Sequence, residues 1–378
     1  MTKQACVVGS NAAGLATALR LRNLGYAVTV VEPDVSLRDH TFTRDGFVFD
    51  CRETMFTLPA VYRDLFLKTG NGLETAVELI PLETAIRFVL SDGTTIDMPG
   101  ASPARMTHVV AQALGAQAGD EWKDFTDFAA DEWEKQRTTW QLGDGSEPLT
   151  FKDSRLQELS DAFALLHHRI PTRTPKSFAA HIYMYLQFGA WHIAGGLGQL
   201  TRALYDRACE RGVEFAFNTS TVDATSDFVV NALEIQQAQI SEYSVHIAIN
   251  GVSAELSHHN VWVDDDAILY LCRPEDDSMH PAGSEAWNAR LIFRTSDSVS
   301  SENSAVEEIL RRLESKNVVQ PSQIMWTEVS TMKQPAIEFP PQLTVHRVGG
   351  NNSMGYGLAF DGMSADLLAQ ELRSQISE

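Results

Sequence analysis

Val7-Val8-Gly9-Ser10-Asn11-Ala12-Ala13-Gly14 is the stretch that decides the fold. It closes a short apolar run, Ala5 to Val8. It opens a segment, Ala12 to Leu24, in which Leu15, Ala18, Leu19 and Leu21 recur at helical spacing until Gly25 stops it. Ala27 to Val31 is a second, β-branched run that ends in Glu32-Pro33. A strand, a glycine turn, a helix and a second strand within about 30 residues form a βαβ unit, whose parallel sheet calls for helices on both faces.

The turn stands where a dinucleotide fingerprint, G-x-G-x-x-G, would stand. Its first glycine makes the tight turn, its second lets pyrophosphate approach the backbone N–H groups, and its third lets helix and strand pack closely. Here Asn11 replaces the second glycine. Asparagine tolerates positive φ better than other side chains, and its amide can donate to a phosphate, so the turn reads as workable but crowded. Glu32, eighteen residues beyond Gly14, is placed to accept both ribose hydroxyls and to exclude a 2′-phosphate. The bland alternative is an ordinary βα turn with no ligand.

Composition narrows the classes around this unit. The chain has 378 residues, 44% hydrophobic and 21% charged, enough for two domains or one composite one. Thirty Lys plus Arg against fifty Asp plus Glu leaves a net charge of −20, which repels phosphate backbones, so no nucleic-acid partner is expected. Cys6, Cys51, Cys209 and Cys272 form no CxxC pair, which argues against a disulfide framework or a zinc ribbon. Ser177 to Thr201 carries no Asp, Glu, Lys or Arg, but its histidines, glutamines and Gly195-Gly196 favour a buried or ligand-lining segment over a membrane span. A cytoplasmic location is the default. Strand alternation would send His258 and His259 to opposite faces, and with no HExxH motif no metal site is expected.

Further along the chain, Thr41-Phe42 and Phe47-Val48-Phe49 flank Arg44-Asp45-Gly46 as a hairpin, and residues 84–98 alternate likewise. A helical pattern runs from Pro103 to about Trp140, with a stripe of Trp122, Phe125, Phe128 and Trp133 that reads as core rather than substrate wall. Helices are expected over Leu156 to His168, Phe178 to Phe188, Ala305 to Lys316 and Ser364 to Ser374. Strands are expected over 213–218, 227–232, 243–249, 260–263 and 268–272. The fold class is α/β, a Rossmann-like domain split in sequence around a smaller mixed α+β domain.

Four blocks make the sequence resemble the bacterial and fungal phytoene desaturases, relatives of the flavin amine oxidases. The first is the fingerprint with Glu32, followed by Arg38 and the run Asp45-Gly46-Phe47-Val48-Phe49-Asp50. The second is Gly195-Gly196-Leu197-Gly198-Gln199-Leu200, leading into Thr221-Val222. The third is His258-His259 with Asp276-Asp277-Ser278-Met279-His280-Pro281-Ala282-Gly283. The fourth is Val348-Gly349-Gly350 through Gly355-Tyr356-Gly357-Leu358 before a last helix. The resemblance implies FAD as cofactor, held by Gly9, Ser10, Asn11, Ala13, Gly14, Glu32, Arg38, Val222, Gly349, Gly350 and Leu358. It implies FAD-domain segments at 1–100, 191–235 and 336–378. A mainly helical substrate region at 101–190 and a substrate sheet at 236–335 complete the division. The sequence departs from the family at Ser36-Leu37, where two glycines would precede Arg38, and at Cys51-Arg52. Only four residues separate Val222 from Asp227, where an adenine-side hairpin would stand.

The expected activity is that of an FAD-dependent oxidoreductase, dehydrogenating or oxidising a small apolar or amphipathic metabolite by hydride transfer. The alternatives are a non-redox flavoprotein isomerase and a flavin-free binding protein. Tyr185 and His192, beside the Gly195-Gly196 turn, are the candidates for moving protons. The partner is a small molecule, and a homodimer is an open option.

Overall fold

A computed structural model describes residues 3–51, 55–137, 147–233, 241–253, 255–295, 302–330, 337, 339–349 and 357–377. The quoted turn lies at the centre of a five-stranded sheet. Its order is Val345–Arg347, Phe228–Asn231, Gln4–Val8, Ala27–Glu32, Glu214–Phe217, and every pairing is parallel. The helices Ala12–Asn23, Gly198–Glu210 and Leu358–Ser377 pack about it. Leu15, Leu19, Val28, Val30, Leu200, Leu204 and Leu368 share one core. A nucleotide domain split in sequence therefore closes on strands drawn from both ends of the chain.

The second layer is a seven-stranded mixed sheet. It runs Ile324–Val329, Glu242–Asn250, Ser284–Phe293, Ala267–Cys272, His259–Val263, Thr84–Val89, Thr95–Pro99, antiparallel except where His259–Val263 meets Thr84–Val89. One face is largely apolar. Val245, Ile247, Leu269, Leu271, Trp287 and Leu291 pack there against Ile309 and Leu313 of the helix Glu302–Ser315.

The other face meets the helices Pro103–Leu114, Ala116–Gln136, Ser154–His168 and Ala179–Phe188. Trp122, Phe125 and Trp133 are buried in that layer, so these three members of the aromatic stripe are core, while Phe128 is exposed. Gly115, at φ +103, splits the expected single helix in two. The strand Ser284–Phe293 and the helix Ala60–Thr69 were not foreseen. The strand is buried along its whole length and so carries no alternation of polar and apolar residues to betray it. Among the described residues, no helix is long and apolar enough to cross a membrane.

The seams of the fold are rich in buried histidine. His168 Nε2 and His181 Nδ1 lie 3.1 Å apart beside Phe178 and Phe360, and His167 stacks on Phe163 and Tyr185. Burial pushes His181 down to about 3 and His246 to about 4, and holds His167, His168, His258 and His259 well below the usual imidazole value. Such groups take up protons only on unfolding. The stability they contribute is therefore complete above about pH 6.5 and falls as pH drops through 6.5 toward 4, by up to roughly 1.4 kcal/mol per pH unit for each histidine. Urea midpoints measured between pH 7.5 and 4.5 should fall steeply below 6.5. A flat profile over that window would show that these imidazoles are not buried neutral.

Candidate functional site

Gly9, at φ +106, turns the chain out of the first strand, its N–H donating to Val31 O at 2.9 Å. A Cβ on Gly14 would come 1.9 Å from Gly9 O, so only glycine lets the helix start this close to the turn. Asn11 does not sit as its sequence position suggests. Its φ is −77, in the extended region, and it caps the helix by accepting from Gly14 N at 3.0 Å. Its amide is committed to Ala232 O at 2.8 Å. Both ends of the side-chain amide are thus engaged by the backbone of the chain itself. Asn11→Gly removes the bond to Ala232 and should cost about 1–2 kcal/mol of stability without raising FAD retention above wild type. Thermal midpoint and flavin-to-protein absorbance ratio check this; tighter FAD binding would contradict it.

Glu32 is fully buried at the end of the second strand. Its Oε2 accepts from Ser10 N (2.8 Å), Ser10 Oγ (2.9 Å) and Arg38 Nε (3.4 Å), and its Oε1 from Asp34 N (3.0 Å) and Arg38 Nη2 (2.8 Å). Burial alone would raise its pKa, but the Arg38, Asp34 and Ser10 hydrogen bonds outweigh it and hold the carboxyl below the usual range. Arg38 also donates its N–H to Ser10 Oγ and pairs with Asp34. Strand end, glycine turn and following loop thus meet at one carboxylate. A ribose hydroxyl reaching Glu32 has to take the place of one of these donors.

The helix N-terminus opens on a cleft lined by Ala12, Asp39, His40, Asp50, Leu197, Gly198, Thr201, Leu358 and Asp361. On its far side, Gly349 has φ +76, and a Cβ there would come 2.9 Å from Asp361 Oδ1 and 3.0 Å from Ala13 Cβ. Its N–H donates to Ser364 Oγ at 2.7 Å. Leu358 starts the last helix, its carbonyl accepting from Tyr62 Oη at 2.6 Å. Val222 packs with Cys6, Val8, Val31 and Leu233 on the sheet face. Gly350, Gly355 and Tyr356 lie outside the described residues. A tight turn, a helix N-terminus and a second close backbone approach around one cleft fit the diphosphate and ribityl chain of FAD.

The floor of the cleft is set by Asp50, from the hairpin Thr41–Arg44 and Phe47–Asp50. Its Oδ1 accepts from Leu197 N at 2.9 Å and Gly198 N at 3.4 Å, so the carboxylate sits on the N-terminus of Gly198–Glu210. Its carbonyl accepts from Asn288 Nδ2 at 2.9 Å, tying the hairpin to the large sheet. A Cβ on Gly196 would approach Asp50 Oδ1 to 3.0 Å.

The two proton-handling candidates lie in different surroundings. Tyr185 is in the helical core, packed on Phe163 and His167. His192, on the short strand Trp191–Ile193, holds Nε2 2.8 Å from Asp276 Oδ2, which also accepts from Gly195 N at 2.8 Å. Burial lowers the His192 pKa, and Asp276 offsets this only in part. Asp276 is itself held well below the usual carboxylate range, its hydrogen bonds from Ser278, His192 and Gly195 outweighing its burial. The pair is a neutral imidazole oriented by an ionised carboxylate.

Sequence reasoning missed what lies on the inner face of the large sheet. His246, Asn288, Cys272 and His259 pair in register across four adjacent strands and so share one face. His246 stacks on Phe42 and Phe49 of the hairpin. In the next rank, Arg290 lies 4.6 Å over the Tyr270 ring and pairs with Glu242, which Arg169 also grips. The only available signal was buried polar residues in otherwise apolar runs, which periodicity does not flag.

Residues 4–316 match the family model described as FAD dependent oxidoreductase. The chain belongs to that family, and FAD is its cofactor. Among curated relatives, it is 20% identical to a 4,4'-diapolycopene oxygenase of Methylomonas sp over 74% of this chain and 73% of that one. It is 26% identical to a 1-hydroxycarotenoid 3,4-desaturase of Flavobacterium sp. over 57% of this chain and 50% of the relative. A redesigned putrescine oxidase shares the fold at a TM-score of 0.64 and 13% identity, over 99% of this chain and 100% of that one.

Replacing Glu32 with Ala should cost about 3 kcal/mol, because Arg38 and Ser10 lose a buried charged acceptor. Flavin occupancy should fall with it. Denaturant midpoints and flavin released per chain check this, and an unchanged value of both would remove Glu32 from the site.

Proposed function

We propose that the protein oxidises a small apolar or amphipathic metabolite by hydride transfer, with Gly9, Ser10, Ala13, Gly14, Glu32, Arg38 and Gly349 holding the cofactor and His192 handling the proton. When bound, FAD supplies the two-electron acceptor for a C–H or C–N bond. The observation that carries this reading is the His192–Asp276 pair. It is anchored to the same Gly195-Gly196 turn that Asp50 fixes at the edge of the cleft. Asp276 accepts the Nε2 proton, which leaves Nδ1 as the basic atom of a neutral ring. Burial keeps this imidazole unprotonated, so its free ring nitrogen is available to accept a proton from substrate, and the Asp276 carboxylate stabilises the imidazolium that forms.

The seam between the helical layer and the large sheet favours a compact ligand. Phe163, Tyr185 and Tyr270 belong to one closed core cluster there, while Arg290 and His259 bring polar groups to the same level. A compact amphipathic metabolite suits surroundings that combine aromatic and polar groups better than a fully hydrocarbon polyene does.

Anaerobic mixing of the flavin-loaded protein with a panel of small amines, alcohols and short unsaturated acids should bleach the flavin's visible absorbance with one class. Bleaching only with long polyenes would overturn the substrate size, and substrate turnover without bleaching would overturn hydride transfer. His192→Gln should lower turnover by about 10²–10⁴-fold with FAD content unchanged, as expected for a lost general base. Normal turnover in that variant would assign His192 a structural role alone.

A further inference from the structure

The third sequence block, His258-His259, reaches a partner that the sequence did not connect to it. His258 precedes the strand that begins at His259, so the alternation that would separate the two rings does not apply, and their centroids lie 4.5 Å apart. Cys272, the last residue of the neighbouring strand Ala267–Cys272, is the register partner of His259. One ligating atom from each of His258, His259 and Cys272 lies within 4.8 Å of the others. All three residues are more than nine-tenths buried.

His259 carries the second observation. Its Nδ1 is 2.8 Å from Tyr270 Oη, and its Nε2 is buried with no hydrogen-bond partner among the described residues. A buried polar nitrogen left unmade is costly, and structures retain few of them without a reason. In the tautomer that gives its Nδ1–H to Tyr270 Oη, the unpaired Nε2 carries the lone pair that a metal ligand needs, with its orienting partner in place.

We propose that His258, His259 and Cys272 bind a thiophilic d10 cation, zinc in the first instance. Two imidazoles and a thiolate match the nitrogen and sulfur donors that Zn²⁺ selects, and three protein ligands leave a fourth position for water or another group. Binding requires the ligand atoms to contract toward tetrahedral spacing and the Cys272 thiol to lose its proton to solvent, so that the thiolate forms the Zn–S bond. The imidazoles bind through neutral ring nitrogens and release no proton. The His192 ring, 4.9 Å from His258, joins the cluster to the ionised Asp276, and that carboxylate offsets the charge remaining after one thiolate. Arg273, the nearby cation, is answered by Glu285 and Glu275. The bound cation would clamp the strands His259–Val263 and Ala267–Cys272 at the edge of the inner polar face.

The test is metal analysis of protein expressed in zinc-supplemented medium and dialysed to remove loosely held ions. About one zinc per chain is expected in the wild type and in Cys209→Ser, which removes the exposed thiol; at least a tenfold drop is expected in Cys272→Ser and His259→Gln. Metal-free wild type, or zinc undiminished in Cys272→Ser, overturns the site. Should either ligand variant fail to fold, as judged by its circular dichroism, Cys209→Ser protein expressed with cobalt in place of zinc decides. A thiolate-to-cobalt charge-transfer band supports the site, and its absence refutes it.

Discussion

The buried carboxylate of Glu32 gathers five donors from three residues, Ser10, Asp34 and Arg38, and the nucleotide half of the molecule is arranged around it. An ion removed from water this completely is tolerated only when it is saturated with hydrogen bonds. The glycine turn, the end of the second strand and the loop carrying Arg38 therefore have to arrive together. Gly14 imposes the companion constraint, since any side chain there would collide with Gly9 O and push the helix off the sheet. Between them these two residues determine where the helix N-terminus points.

A second carboxylate, Asp50, does for the junction what Glu32 does for the turn. It sits on the N-terminus of Gly198–Glu210 while its backbone carbonyl takes a hydrogen bond from the large sheet. Asp276 extends this arrangement by holding His192 and Gly195 together. Three acids from distant parts of the chain thus set the relation between the cleft, the glycine turn and the inner sheet face. The overall charge of −20 gave no hint of this. What matters is the few acids withdrawn from solvent.

Much of the nucleotide domain could be read from the chain because its signals are local. The βαβ spacing, the glycines and the terminal acid all fall within the first 32 residues, and the turn forms where they place it. The direction of the Asn11 side chain was not legible, because it depends on what surrounds it. Ala232, 221 residues away, claims its amide. The strand Ser284–Phe293 was illegible for a related reason: buried on both faces, it mixes Glu285, Asn288 and Arg290 into an apolar run, and no period survives. The inner polar row exists only through strand register, so no single segment announces it. His192 was legible from its neighbours in sequence; Asp276, which gives it an orientation, was not.

The central claim is that this chain, despite Asn11 and Ser36-Leu37, still assembles a complete FAD site. The most direct measurement is the visible spectrum of the purified protein, followed by mass analysis of the ligand released on denaturation. The account predicts oxidised-flavin absorbance and about one equivalent of FAD per chain, retained through gel filtration as a site of buried, preformed contacts requires. A colourless protein that also fails to take up added FAD would contradict it.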